Sequence, residues 1–249
     1  YILFLMSEFK LNTKEVIEYA LDALDSDSIY VRYNALKLIR NSGNTAAFLD
    51  ALERIMHNKK SFNVRVLVDY MDQFQGNIQL INMKLANNLN NYNGKLKKAV
   101  IFHFTNCQYD APEARNTLLY LLANEVDKGI LISIIRYFEK VIDEKAVEHL
   151  ISKLSNKDWE VRAASARILE KYPSDETISE LTKSLMDENY FVRFNSASSL
   201  SRMVQGENTI REILSKTDSF GKDSFLYAMS LENSMKISHY IESNAKEVV

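Results

Sequence analysis

Apolar residues return along this chain at three- and four-residue steps, one segment after another. In residues 13–24 (TKEVIEYALDAL), Val16, Ile17, Ala20, Leu21 and Leu24 fall on one helical stripe; in 28–40 (SIYVRYNALKLIR), Val31, Ala35, Leu38 and Ile39 do the same. Between them, Asp25, Ser26 and Asp27 are turn and cap formers. The same alternation of stripe, polar break and stripe predicts helix pairs at 45–56 and 62–74, 77–89 and 94–106, 111–126 and 129–141, 144–154 and 158–172, and 175–186 and 190–203. A weaker pair follows at 207–214 and 222–233, and 235–249 reads as a closing helix that thins into a polar tail. Pro112 suits the first turn of its helix, where its missing N–H is not needed. Gly43, Gly76, Gly206 and Gly221 fall between predicted helices and Gly94 and Gly129 at the first position of one, so none interrupts a stripe, and Asn87 to Asn93 reads as a loop.

The helix pairs also repeat in sequence. Val-Arg occurs at 31–32, 64–65, 161–162 and 192–193: the first two are 33 residues apart and the last two 31. The middle gap of 97 residues is about three such steps, which leaves room for two degenerate units. A period of this size with helical patterning signals stacked helix pairs. The expectation is an all-α chain, a right-handed α-α superhelix of about seven pairs over 13–233. Residues 1–12 would be an N-terminal cap or the trimmed end of an anchor, and 234–249 a C-terminal capping helix and tail. No linker rich in Pro, Ser or Gly divides the chain, so one continuous domain is expected.

The strings DWEVRAASARIL, NYFVRFNSASSL and SIYVRYNALKLI resemble the HEAT repeat, with 62–74 a partial match and the other units looser. The resemblance implies that Val31, Ala35 and Ile39, with Val161, Ser165 and Leu169 and with Val192, Ser196 and Leu200, pack inward. It further implies that Arg32, Arg65, Arg162 and Arg193 form a structural ladder of hydrogen bonds, with acidic or amide partners near Asp25, Asn156 and Asp187. A guanidinium has five donors to satisfy, which suits carboxylates and helix-end carbonyls. The arginine tracks the repeat, which favours this role over binding of an anionic ligand.

Composition narrows the function classes. Only 6 Gly and 2 Pro in 249 residues agree with an all-helical chain. The net charge is −2 and evenly spread: residues 1–125 carry 14 Lys/Arg against 13 Asp/Glu, and 126–249 carry 17 against 20. A nucleic-acid partner is therefore disfavoured, since such binders show a basic face or net excess. Lys59-Lys60 and Lys95, Lys97 and Lys98 are local basic spots, read as solvated turns in preference to phosphate contacts. Cys107 is the sole cysteine, so no internal disulfide marks a secreted domain; in the apolar run VIFHFTNC it is expected to be packed. A cytoplasmic setting is favoured. The opening YILFLM is too short to span a bilayer, and a membrane tether stays open through a segment upstream of Tyr1.

Catalytic chemistry finds no foothold in the motifs. HEAT-like hydroxylases carry repeated His-Glu pairs, whereas His57, His103, His149 and His239 lie in different units and none precedes a glutamate. No phosphate loop, nucleophile elbow or zinc signature is present, and no cofactor is expected. The reading is a non-catalytic scaffold for a protein or peptide; a HEAT-like lyase acting on a small molecule and a nucleic-acid reader are the alternatives. Second helices of such pairs line the inner face, and residues flanking Val-Arg point away from the core. Tyr30, Tyr33, Asn34, Asn63, Tyr70, Phe191, Phe194 and Asn195 would then bind the partner. In the competing reading the rings fold down onto the adjacent repeat. Trp159 either anchors a partner or packs on Tyr190.

Overall fold

The computed structural model describes residues 1–57, 62–204 and 206–246, with side chains described through residue 232. Among these there are fifteen α-helices and no strand. In chain order they are α1 (Ile2–Glu8), α2 (Lys14–Ala23), α3 (Ile29–Ser42), α4 (Thr45–His57), α5 (Val64–Asp72), α6 (Ile78–Asn88), α7 (Gly94–Cys107), α8 (Pro112–Asn124), α9 (Lys128–Lys140), α10 (Val147–Ser152), α11 (Trp159–Ile168), α12 (Asp175–Ser184), α13 (Tyr190–Met203), α14 (Glu207–Lys216) and α15 (Ser219–Lys246). They fall into two compact units, Tyr1–Tyr120 and Leu121–Val249. Each unit is an α-α solenoid. In the first, α3 packs on α2, α4 and α5, α5 packs on α7, and α2 packs on α4. In the second, α9, α11, α13 and α15 pack in succession, backed by α10, α12 and α14, with α12 against both α13 and α14.

Local chemistry explains the helix starts. Thr13, Asn63, Asn77, Asn93, Asp127 and Ser174 cap α2, α5, α6, α7, α9 and α12, each side chain accepting from a backbone N–H of the first turn. Pro112 opens α8. The asparagine-rich stretch expected as a loop is instead the end of α6, a 3₁₀ turn at Leu89–Asn91 and the Asn93 cap. Gly43 ends α3 in the left-handed region at φ +67°. Its carbonyl lies where a side chain at Gly76 would sit, while Gln75 N–H donates to Arg40 O at 3.2 Å. These two glycines, one repeat period apart, let consecutive turns of the first unit touch backbone to backbone.

Two further differences from the sequence reading concern the C-terminal end and the fifth pair. The 222–233 and 235–249 helices are one unbroken α15, Ser219–Lys246. The segment 144–154 is a six-residue α10 flanked by 3₁₀ turns at Glu144–Ala146 and Lys153–Ser155. The opening apolar run is α1, whose Leu3 and Ser7 are buried. There Asn41 donates to Ser7 Oγ at 3.0 Å, Lys37 pairs with Glu8 at 2.7 Å, and the same Lys37 lies 5.0 Å from the Phe4 ring. Among the described residues no helix is long and apolar enough to cross a membrane.

The inward positions of α11 and α13 carry a feature open to direct test. Val161, Val192, Leu169 and Leu200 are fully buried, while Val31 is half-buried. Ser165 and Ser196 are also fully buried, and their hydroxyls find no partner among the described residues. A buried hydroxyl without a hydrogen bond costs about 1–3 kcal/mol, and alanine at the same place removes the cost without opening a large cavity. Ser165→Ala and Ser196→Ala are each expected to raise stability by about 1 kcal/mol, read as a higher urea midpoint with an unchanged slope.

Candidate functional site

The Val-Arg arginines show what the repeat does with its most conspicuous polar group. Arg32 Nη1 donates to the carbonyls of Ser26 (2.8 Å) and Asp27 (3.0 Å). Arg162 Nη1 reaches Asn156 O (3.0 Å) and Lys157 O (3.3 Å), and Arg193 Nη1 reaches Asp187 O (2.8 Å) and Glu188 O (3.0 Å). In all three the guanidinium closes the turn five and six residues upstream. Arg162 goes further: its Nε and Nη2 form a two-pronged bond to the Asp187 carboxylate at 2.7 and 2.9 Å, joining α11 to the turn before α13. That carboxylate raises the affinity of the Arg162 guanidinium for its proton. Arg32 and Arg162 are buried, whereas Arg65 is exposed; the turn positions 59 and 60 that it would reach lie outside the described residues, as does the Lys59-Lys60 spot.

The aromatic and amide positions separate into three environments. Tyr70 is a core residue and leaves the set of partner-binding candidates. It lies on the buried Leu67, Tyr70, Met71 stripe of α5 and stacks on Phe48 at 4.3 Å. Its hydroxyl donates to Phe48 O at 3.3 Å, and burial pushes its phenol well above the usual range. Asn34 and Asn195 are half-buried and spend a donor internally, Asn34 on Tyr30 O (2.8 Å) and Asn195 on Ala163 O of α11 (3.0 Å). Asn63 is exposed at the start of α5, its Oδ1 capping Arg65 N at 2.9 Å. Tyr30 and Tyr33 are exposed on α3, to 80% and 45%.

In the second unit the rings gather. Trp159, at the first position of α11, stacks on Phe191 of α13 with centroids 5.4 Å apart, so its neighbour is Phe191 and not Tyr190. Tyr190 meets Phe191 edge-on at 5.6 Å and Phe194 at 6.0 Å. Phe194 is half-buried, yet Trp159, Tyr190 and Phe191 stay 38%, 54% and 56% exposed despite touching one another. The sequence reading missed Phe220 at the start of α15, 65% exposed, whose ring lies 5.7 Å from the Arg193 guanidinium. Its signal was present, since it occupies the first turn of a second helix as Trp159 and Phe191 do. These rings share one edge of the unit, where successive second helices begin.

The titratable side chains are tied into the scaffold. His103, in α7, is buried: Nδ1 lies 2.5 Å from Asp72 Oδ1 and Nε2 lies 2.8 Å from Asn82 Oδ1. His57 is exposed, His149 half-buried, and the His239 side chain lies outside those described. Cys107, expected to be packed, is exposed at the end of α7; its sulfur, near Asn82, is desolvated enough to push the thiol up. Among the described residues no group of three or more His, Cys, Asp or Glu side chains is placed to hold a metal ion. A groove of about 460 Å³ between α12 and α14 is lined by Lys183 and Lys216, which pair with Glu180 (2.5 Å) and Glu212 (2.6 Å).

Residues 147–219 match the family of HEAT repeats. No curated protein matches the chain. Among solved structures, two engineered proteins from the Northeast Structural Genomics Consortium are similar. One is 18% identical over 86% of this chain and 67% of its own, with a TM-score of 0.48; the other is 19% identical over 88% and 96%, with a TM-score of 0.43. A chain from structural work on microtubule plus-end tracking by XMAP215, CLIP-170 and EB1 is 16% identical over 85% and 88%, with a TM-score of 0.42. At these scores the assignment of the fold rests on the chain's own helices.

Proposed function

We propose that this chain, a member of the HEAT-repeat family through residues 147–219, is a non-catalytic scaffold that captures a protein or peptide on the starts of its second helices. One observation carries the reading: Trp159, Tyr190 and Phe191 stack together and remain largely exposed. Rings that had merely folded onto the adjacent repeat would be covered; a cluster of exposed aromatics is instead the usual make-up of a binding hot spot. Tyr30 and Tyr33 give the first unit a similar aromatic start on α3. In this reading Phe191 and Phe194 contact the partner, Asn195 ties α13 to α11, and Asn34 spends its amide on Tyr30 O within α3. The Arg32, Arg162 and Arg193 bonds serve the same end by fixing the turns from which the second helices spring. The compartment that fits this reading is the cytoplasm.

The test is affinity purification from cell extract with the wild type and with Tyr190→Ala/Phe191→Ala, quantified by mass spectrometry. Partners held by the wild type should fall at least tenfold with the variant, whose circular dichroism and melting temperature should stay close to wild type because both rings are solvent-facing. Equal recovery of every partner by the two proteins would remove the aromatic edge as a binding surface.

A further inference from the structure

Arg65 differs from Arg32 and Arg162 in its exposure. Arg32 and Arg162 are buried and turned onto carbonyls, but Arg65 is exposed and lines a groove of about 440 Å³ between α5 and α7. From the second turn of α7, Lys98 lines the same groove. The floor between the two cations is apolar, formed by Val68 and by Phe102, whose ring lies 6.0 Å from Lys98 Nζ. Asn63, Val64 and Asn106 complete the lining. Among the described residues no carboxylate is within ion-pair distance of either cation. Asp72 is already held by His103 at 2.5 Å and Asn106 at 2.8 Å.

We infer that this groove binds an acidic peptide segment, with an Asp or Glu carboxylate between Arg65 and Lys98 and an adjoining apolar side chain on Val68 and Phe102. Two cations lining one groove are complementary to a carboxylate, and a forked guanidinium is the donor best shaped for it. The volume suits a few side chains. A polynucleotide is disfavoured, since it needs a row of cations along its backbone and gains nothing from an aliphatic floor. The inference rests on the scaffold reading but uses a different surface from the aromatic edge, so either can fail alone.

The test is to pan a phage-displayed library of random dodecapeptides against the whole chain, against Arg65→Glu/Lys98→Glu, and against Tyr190→Ala/Phe191→Ala. Peptides enriched on the wild type should carry Asp or Glu within three positions of Leu, Ile or Phe. Synthesised and labelled, they should bind at least tenfold more weakly to the charge-reversed variant and to the wild type at high salt. Binding to the aromatic-edge variant should be unchanged. Enrichment without acidic residues, equal binding to the charge-reversed variant, or no enrichment at all would overturn the inference. So would a labelled single-stranded oligonucleotide that binds tightly and is lost with Arg65 and Lys98. Acidic peptides lost only with Tyr190 and Phe191 would leave the scaffold reading standing and this groove unoccupied. Since both cations reach solvent, matching circular dichroism and melting curves check that the charge-reversed protein is folded.

Discussion

Arg162→Ala is expected to destabilise the second unit by about 3–5 kcal/mol, the usual effect of removing one member of a buried ion pair. The Arg162 and Asp187 side chains are only 9% and 12% exposed, and the guanidinium also holds the carbonyls of Asn156 and Lys157. Truncation leaves a nearly buried carboxylate and a turn that has lost its clasp. Arg32→Ala should cost less, about 1–3 kcal/mol, since Arg32 donates to the carbonyls of Ser26 and Asp27 and its Nε has no partner among the described residues. Arg65→Ala should be close to neutral, because its side chain is exposed. Urea unfolding followed by circular dichroism will give this order, Arg162 above Arg32 above Arg65. A double-mutant cycle with Asp187→Ala isolates the ion pair from the turn contacts. Equal effects at Arg162 and Arg65 would mean that the shared dipeptide, and not the bonds formed, governs stability.

The helix pairs were legible because two local signals agree. Each stripe has the helical period, and each ends in residues able to cap or turn, such as Thr13, Asn63 and Ser174. Where one signal was misleading, the reading slipped. The polar cluster around Asn233 looked like a break, but it contains neither Pro nor Gly, and nothing else there stops α15. In 87–93 the asparagines suggested a loop, although Asn87 and Asn88 extend α6 and Asn93 starts α7.

The site was less legible, for a geometric reason. Proximity to Val-Arg suggests an outward-facing Tyr70, yet it lies three residues beyond Leu67 and shares that buried stripe. Trp159 and Phe191 meet only because the repeat places the starts of α11 and α13 side by side, a contact between residues 32 apart in sequence. The charge groove is more hidden still. Lys98 was visible as a basic spot, and Phe102 vanished into an apolar run whose other members, Val100, Ile101 and Phe104, are fully buried. A Val-Arg dipeptide fixes the register of a helix but not where the arginine's head group comes to rest, so Arg65 looked like its buried counterparts.

His103→Phe should destabilise the first unit by about 2–4 kcal/mol while preserving its packing volume, so the loss can be assigned to polar contacts. The imidazole is 1% exposed and bridges two helices, with Asp72 of α5 on one side and Asn82 of α6 on the other. Asp72, with 30% of its side chain exposed, can turn part of its carboxylate to water and keeps its 2.8 Å bond from Asn106. Asn82 is 5% exposed, and its amide nitrogen makes a long 3.9 Å approach to the Cys107 sulfur. Most of the loss should therefore come from stranding Asn82, and Asn82→Ala combined with His103→Phe should recover part of it. The same comparison separates a structural histidine from one with a chemical task. A structural role predicts that His103→Phe binds the acidic peptides of the α5–α7 groove with wild-type affinity once folded, in conditions where both proteins are fully native by circular dichroism. A tenfold loss of peptide affinity in the folded variant would place His103 and Asp72 in the binding machinery instead.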